Sequence, residues 1–306
     1  MIPPDATHVL HEGPWHHRFV AANGARFHVA EAGEGPLVVL LHGFPQLWWT
    51  WRAQIPALAD AGYRVAAMDL RGYGASDKPP RGYDTLTLAA DVAAVVRSLG
   101  ADDAVVVGHD WGAWIAWSMP ALQPGVTRAV AALSMAHPLT FKRALRRSPR
   151  QLAASSYIFG FQVPMRPERV LTRPGVMGAL LHKGSGTAWP TRSEADQQAV
   201  AVYEEAMQVP FVAHSAIEYY RWIVRSSVRA DGRAFTEAVD RAIAVPVLHV
   251  HGERDPAVRT ETVAGSRTWV DGPYRYHAFP DGGHFLADER PDDVTAVLVD
   301  WLATLP

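Results

Sequence analysis

Five short apolar runs constrain the fold of this chain more than any other feature of its sequence. Most are rich in valine and are closed by glycine, aspartate or histidine. Runs of this length suit strands that are buried on both faces of a parallel sheet. The predicted strands are Leu37–Leu41, Val65–Met68, Ala104–Val107, Ala129–Leu133 and Val245–Val250.

Helical patterns lie between these runs. Asp84 is suited to cap a helix and Gly100 to end it. Apolar residues recur between them at helical spacing: Leu88, Val92, Val95, Val96 and Leu99. Another helix is predicted after Pro291, with one apolar face made of Val294, Val297, Leu298, Trp301 and Leu302. This alternation predicts an α/β fold with a mostly parallel central sheet flanked by helices.

Two regions depart from the alternation. Near the N-terminus, Asn23-Gly24 predicts a hairpin between strands at 19–21 and 27–30, because Asn-Gly suits a turn with positive φ. From about Pro138 to residue 242 the chain reads as helical and irregular. We therefore predict a core domain from residues 1–137 and 243–306, and a helical cap from residues 138–242. The cap is rich in arginine, which we interpret as a solvated helix face rather than a binding patch: Arg143, Arg146, Arg147 and Arg150.

Composition excludes several classes of function. The net charge of −2 lacks the basic excess of a nucleic-acid-binding protein. The absence of cysteine excludes disulfides and a thiolate nucleophile. Met1–Leu10 lacks the apolar core of a signal peptide, and no apolar run approaches the ~20 residues of a membrane span. We expect a cytoplasmic protein without a membrane span. The sequence leaves its oligomeric state open, and a homodimer is compatible with it.

The segment Val105–Ala113 carries the strongest chemical signal. A buried strand runs into Gly-x-Asp-x-Gly, and a helical pattern follows at once. This is the arrangement of a nucleophile elbow, with Asp110 in the place of the nucleophile. The Trp111 N–H begins the helix and is one expected oxyanion donor. The alternative interpretation is that Asp110 only caps the helix, as aspartate often does.

Two more segments favour the catalytic interpretation. His42-Gly43-Phe44-Pro45 follows the first core strand, where the Phe44 N–H would be a second oxyanion donor. Asp255 follows the strand Val245–Val250, and His284 precedes another helical segment. The order Asp110, Asp255, His284 is the order of nucleophile, acid and histidine in this kind of fold. Loops at the carboxyl ends of parallel strands meet at one edge of the sheet, so these side chains are expected to converge.

With these motifs the chain resembles the epoxide hydrolases of the α/β-hydrolase superfamily. The resemblance runs from about Val20 to the C-terminus and is more specific in the core than in the cap. Its motifs are 42–45 (His-Gly-Phe-Pro), 69–77 (Asp-Leu-Arg-Gly-Tyr-Gly-Ala-Ser-Asp), 108–112 (Gly-His-Asp-Trp-Gly), 157–164 (Tyr-Ile-Phe-Gly-Phe-Gln-Val-Pro) and Tyr220-Arg221.

The resemblance implies that Tyr157 and Tyr220 hold the epoxide oxygen, with Tyr219 as the alternative to Tyr220. It implies an ester on the aspartate that a histidine-activated water cleaves, with small apolar epoxides and water as substrates. Aromatic residues predict an apolar pocket, and the expected substrate contacts are Trp48, Trp114 and Phe161. No nucleotide-binding motif occurs, and we expect neither a cofactor nor a metal.

Two other functions stay open at this point. A dehalogenase would use the same aspartate to displace halide, although Phe44 lacks the side-chain donor that haloalkane dehalogenases usually carry there. In fluoroacetate dehalogenases arginines follow the nucleophile, whereas Trp111 and Trp114 stand here. A non-catalytic ligand-binding homologue is the second alternative, but it would be free to lose members of the Asp, Asp, His set. No Gly-x-Ser-x-Gly occurs, which argues against a serine hydrolase.

Overall fold

A computed structural model describes residues 6–306. Residues 1–5, which begin the segment where no signal peptide is expected, lie outside the described residues. Eight strands form one sheet within the described range: β1 (His16–Ala22), β2 (Ala25–Ala32), β3 (Leu37–Leu41), β4 (Arg64–Met68), β5 (Ala104–His109), β6 (Thr127–Leu133), β7 (Val247–Gly252) and β8 (Tyr274–Phe279).

The sheet is mostly parallel, as predicted. Its order is β1-β2-β4-β3-β5-β6-β7-β8, and β2 pairs antiparallel with both β1 and β4. The remaining neighbours pair in parallel. The predicted hairpin is confirmed, with φ of 45° at Asn23 and 73° at Gly24. The carboxyl ends of the six parallel strands therefore open at one edge of the sheet.

Helices cover the sheet and fill a long insertion. In the core, α2 begins after Asp84, whose Oδ1 accepts the Thr87 N–H at 2.9 Å. The predicted role of Asp84 as the N-cap residue of this helix is therefore confirmed. Gly100 follows the end of α2 with φ of 81°. The core helices are α1 (Gln54–Asp60), α2 (Thr85–Ser98), α3 (Trp111–Leu122), α12 (Thr260–Ala264), α13 (Leu286–Glu289) and α14 (Pro291–Leu302). Among the described helices, none combines the length and hydropathy needed to cross a bilayer.

The chain between β6 and β7 is helical. Its helices are α4 (Pro138–Arg147), α5 (Pro149–Ala154), α6 (Tyr157–Gly160), α7 (Arg166–Leu171), α8 (Val176–Ser185), α9 (Glu194–Gln208), α10 (Val212–Arg225) and α11 (Ala230–Val239). We call residues 138–242 the helical insertion. The arginines of α4 and α5 are exposed. That the insertion is a separate cap domain with these boundaries stays a prediction.

β4, β5 and β6 extend one or two residues beyond their predicted bounds, and two further elements differ for a clear physical reason. β7 begins at Val247, two residues later than predicted, because Pro246 has no N–H to donate to the ladder. β8 was not predicted at all. It is the edge strand, and most of its side chains are partly exposed, so its sequence Tyr-Arg-Tyr-His-Ala-Phe lacks the apolar run of a buried strand.

A buried carboxylate ties the insertion to the core. Asp288 on α13 accepts hydrogen bonds from Tyr203 Oη on α9 at 2.6 Å and from Gln46 Nε2 at 2.5 Å. It also accepts the Thr50 hydroxyl at 3.1 Å and pairs with Arg52. A buried charge is costly unless donors surround it, so these contacts fix α9 against the core.

We expect Tyr203→Phe to destabilise the protein by about 1–3 kcal/mol, because the buried Asp288 carboxylate loses one donor. Urea unfolding followed by circular dichroism measures the change. Tyr276→Phe is the matched control, since the Tyr276 side chain is 41% exposed on β8. Equal unfolding free energies in the two variants would contradict the assignment of Tyr203 as a tie between insertion and core.

Candidate active site

Asp110 lies at a sharp bend between β5 and α3. Its φ of 51° and ψ of −116° form a conformation that side-chain-bearing residues rarely adopt, at a cost of about 1–3 kcal/mol. The flanking glycines permit the bend. A Cβ on Gly108 would lie 2.2 Å from the Gly112 backbone, and one on Gly112 would lie 2.1 Å from the Leu41 carbonyl oxygen. The bend holds the Asp110 side chain above the carboxyl end of the sheet.

The two oxygens of the Asp110 carboxylate face different groups. Oδ1 accepts the backbone N–H of Phe44 at 2.8 Å. Oδ2 lies 3.5 Å from Nε2 of His284. Gly43 makes this approach possible, since a Cβ there would lie 2.4 Å from the Cβ of Asp110. One oxygen therefore sits in a backbone donor site and the other faces an imidazole.

Asp255 orients His284. Nδ1–H of His284 donates to Oδ2 of Asp255 at 2.8 Å. The other oxygen of Asp255 accepts the N–H groups of Ala257 and Val258 at 2.7 and 2.9 Å. This arrangement directs Nε2 of His284 toward Asp110. The structure thus brings together Asp110, Asp255 and His284, which lie far apart in the sequence.

The charges of Asp110 and His284 shift each other's pKa values. Burial alone would lower the pKa of His284, but the carboxylates of Asp255 and Asp110 outweigh it and raise that pKa to about 10. Burial would raise the pKa of Asp110, but the hydrogen bond and charge of His284 outweigh it and lower that pKa. At neutral pH the site therefore holds an imidazolium between two carboxylates.

His109, beside the nucleophile position, is not suited to be a base. Burial, and then the charge of His284, lower the pKa of His109 to about 4. Its Nε2 lies 2.7 Å from the backbone carbonyl oxygen of His284 and donates to it. A neutral imidazole in this position supports the backbone of His284.

Aromatic side chains of the insertion face the site. Tyr220 on α10 packs against Phe44 and Trp111, with ring centroids 5.3 and 5.1 Å away. Tyr157 and Phe161 pack against Tyr220 at 5.8 and 5.0 Å. Tyr157, Phe161 and Tyr220 therefore lie together, and the predicted contact of Phe161 with substrate stays a prediction.

Tyr219, the alternative second tyrosine, is engaged elsewhere. Its hydroxyl donates to the Arg71 carbonyl oxygen at 2.7 Å, and its ring packs between Tyr73, Tyr83 and Trp111. Burial, followed by the charge of Asp110, raises the pKa of Tyr157. Burial also raises the pKa of Tyr220, with contributions from Tyr157 and Asp110. Both phenols near Asp110 are therefore protonated at neutral pH.

Two predicted substrate contacts are buried in the core. Trp48 exposes none of its surface, and its indole N–H donates to the Val9 carbonyl oxygen at 3.0 Å. Trp114 is equally buried and donates to the Thr85 hydroxyl at 2.8 Å. Both side chains therefore serve in packing, as large aromatic residues often do, and their contact with substrate stays a prediction.

The sequence interpretation missed one residue beside the site. Glu289 accepts the N–H groups of Gly283 and Phe285, on either side of His284. Its only signal in the sequence is an acidic residue five positions after the histidine, which is too common a pattern to single out.

Comparisons with known proteins agree with this arrangement. A family model described as the alpha/beta hydrolase fold matches residues 36–291. The chain is 35% identical to epoxide hydrolase A of Mycobacterium tuberculosis, over 94% of this chain and 97% of that protein. It is 38% identical to the AB hydrolase superfamily protein YfhM of Bacillus subtilis, over 93% of this chain and 97% of that protein. A solved epoxide hydrolase from an endophytic Streptomyces has a TM-score of 0.81 and 32% identity, covering 96% of this chain and 97% of its own.

The charge coupling yields a prediction. Asp110→Asn is expected to lower the pKa of His284 from about 10, because one of the two carboxylates that raise it becomes neutral. NMR titration of the histidine ring nitrogens measures this pKa. Asp300→Asn, which removes an exposed carboxylate paired with Arg275, is expected to leave it unchanged. A His284 pKa that is the same in Asp110→Asn and in the unmodified protein would refute the coupling.

Proposed function

The chain belongs to the epoxide hydrolases of the α/β-hydrolase family, and we propose that it converts an apolar epoxide to a vicinal diol through an ester on Asp110. One observation carries the mechanism. Oδ1 of Asp110 is bound by the Phe44 N–H, while Oδ2 faces His284. Because its two oxygens have different partners, Oδ2 can attack a carbon atom while Oδ1 can carry the negative charge of a tetrahedral intermediate.

The first step is alkylation. Oδ2 of Asp110 attacks a carbon of the strained ring, and the carbon–oxygen bond of the epoxide breaks. The released alkoxide, a stronger base than a phenolate, takes a proton from Tyr157 or Tyr220, which are protonated at neutral pH because their pKa values are raised. A proton from the imidazolium of His284, passed through water, restores the tyrosine. The products of this half-reaction are a neutral ester and a hydroxyl group.

The second step is hydrolysis of the ester. Neutral His284 takes a proton from water, and the hydroxide attacks the carbonyl carbon of Asp110. The negative charge develops on Oδ1, where the Phe44 N–H donates and the Trp111 N–H is the proposed second donor. Collapse of this intermediate breaks the bond between the carbonyl carbon and Oδ2, and the imidazolium gives its proton to the leaving alkoxide as the diol departs. The carboxylic acid left on Asp110 then passes its proton to His284, which restores the resting charges.

Ester formation itself prepares the base. The pKa of His284 is raised in part by the negative charge of Asp110, and the ester removes that charge. The imidazolium therefore releases its proton more readily in the intermediate than in the resting enzyme. This sequence supplies a neutral base only after the substrate is bound covalently.

The helical insertion acts in this proposal as the cap over the nucleophile. It contributes Tyr220, whose ring packs on Phe44 and Trp111 of the core, and Phe161, whose ring packs on Phe44. It also contributes Tyr157, whose ring packs on Tyr220 and Phe161. The resulting wall is almost entirely aromatic, which favours an apolar epoxide over a charged one. Tyr220 rather than Tyr219 is the proposed second proton donor, because the Tyr219 hydroxyl is already bonded to a backbone carbonyl.

One observation favours dehalogenation as a second candidate function. The indole Nε1–H of Trp111 is buried and makes no hydrogen bond of normal geometry among the described residues, although it interacts with the Tyr220 phenol. A halide leaving from a substrate on Asp110 would offer it an acceptor. The product separates the functions, since epoxide hydrolysis gives a diol and dehalogenation releases halide.

The ester mechanism is tested by turnover in ¹⁸O-labelled water. After many turnovers of styrene oxide, mass spectrometry is expected to find label in the peptide that carries Asp110. The reason is that the oxygen of the attacking water stays in the carboxylate, whereas Oδ2 leaves with the diol. His284→Gln is expected to slow ester hydrolysis by about 10²- to 10⁴-fold and to accumulate the ester. Asp300→Asn is the control that keeps normal turnover.

Label that appears only in the diol would refute a nucleophilic Asp110 and make it a base that activates water. Halide release from chlorinated substrates without diol formation from epoxides would favour the second candidate function.

The tyrosines make a separate prediction. Tyr157→Phe and Tyr220→Phe are each expected to slow alkylation, and the double variant to lose nearly all of it, because the alkoxide then has no proton donor. General acids contribute about 10²- to 10⁴-fold. Epoxide consumption in a single turnover with excess enzyme measures the step. Tyr276→Phe is the control, and unchanged alkylation in the double variant would remove both tyrosines from the mechanism.

A further inference from the structure

The carboxylate of Glu289 accepts hydrogen bonds from the backbone N–H groups of the residues on either side of His284. Its Oε1 accepts the Phe285 N–H at 2.8 Å, and its Oε2 accepts the Gly283 N–H at 2.9 Å. Oε2 also accepts the hydroxyl of Thr187, which belongs to the helical insertion, at 2.9 Å. Glu289 is 4% exposed. Both oxygens of a buried carboxylate are thus used to hold one short loop.

We propose that Glu289 is a positioning residue that holds His284 in place for ester hydrolysis. The proposal rests on the function proposed above. Glu289 does not touch the reacting atoms, and it acts through the backbone on both sides of the histidine.

The loop around His284 depends on side chains for its geometry because it lies outside the sheet, between β8 and α13. The His284 N–H donates to the Ser185 carbonyl oxygen at 3.0 Å, and its carbonyl accepts from His109 at 2.7 Å. The packing is tight, since a Cβ on Gly283 would lie 1.7 Å from the Ser185 oxygen. Glu289 supplies the acceptors for the N–H groups of Gly283 and Phe285 in this loop.

A simple helix cap does not account for these contacts. A glutamate in the first turn often accepts the N–H of the residue before its helix, and the bond to Phe285 fits that role. The bond to Gly283 reaches two residues further back, and the bond to Thr187 reaches into the insertion. The carboxylate therefore spans His284 and connects its loop to the insertion.

The orientation of His284 depends most on Glu289 in the second half-reaction. In the resting enzyme His284 is held by two charged partners, Asp110 and Asp255. The ester removes the charge of Asp110 and with it one of these attractions. The imidazole must then hold its direction through Asp255 and its own backbone, at the moment when it activates water.

Glu289→Gln tests this inference in the full-length protein. Glutamine keeps the size of the side chain but has one carbonyl oxygen, so one N–H beside His284 loses its acceptor. We expect ester hydrolysis to slow by about 10- to 100-fold, as misplacement by up to about 1 Å does. Alkylation of Asp110 by styrene oxide is expected to keep its rate, so the ester accumulates in mass spectra.

Glu261→Gln is the matched control, because Glu261 is exposed on α12 away from the site. Thr187→Val removes the third bond to Glu289 and a long bond from the Trp189 N–H at 3.3 Å, and it is expected to slow hydrolysis less than Glu289→Gln. Urea unfolding of each variant is measured in parallel.

Two results would overturn the inference: unchanged hydrolysis in Glu289→Gln, or an equal loss of alkylation and hydrolysis, as a purely structural role would give. Absence of any ester in both the unmodified protein and His284→Gln would overturn the proposed function as well. Normal ester formation with unchanged hydrolysis in Glu289→Gln overturns the inference alone.

Discussion

The buried negative charge of Asp110 is the constraint on which the rest of the site depends. Removing a carboxylate from water costs several kcal/mol, and here the carboxylate also sits on a strained backbone. The Phe44 N–H and the imidazolium of His284 compensate for that cost. Each donor comes from a different strand end, so the site exists only where a parallel sheet brings those ends to one edge. The groups that stabilise the charge of Asp110 are therefore brought together only by the fold.

Sequence alone predicted the core of the fold because its strands are buried on both faces. Leu37–Leu41 was predicted to the residue, since continuous apolar runs are distinctive. The edge strand Tyr274–Phe279 was missed because an edge strand mixes exposed and covered side chains. The order of Asp110, Asp255 and His284 also predicted that these side chains meet at the strand ends, because topology decides which ends come together.

The insertion could not be predicted to the same depth. Neighbouring residues on a helix point about 100° apart, so a shift of one position changes which tyrosine faces the nucleophile. Tyr219 and Tyr220 are both buried, and their hydrophobicity does not separate them. What separates them is the position of α10 over the core, where one hydroxyl meets the Arg71 carbonyl and the other ring meets Phe44. The contacts of Glu289 could not be predicted for a similar reason. Its partners beside His284 are backbone N–H groups, which leave no signal in the sequence.

The charge of the site changes during the proposed reaction, and this explains why so much of the structure supports one histidine. In the resting state, electrostatic attraction between Asp110 and His284 helps to orient the imidazole. That attraction ends when the ester forms, so it cannot orient the imidazole for the step that follows. Hydrogen bonds to the backbone beside His284, including those to Glu289, persist through both half-reactions, because they do not depend on the ionisation of Asp110. A site that forms and then hydrolyses an ester on its own carboxylate needs both kinds of support, one for each half of the cycle.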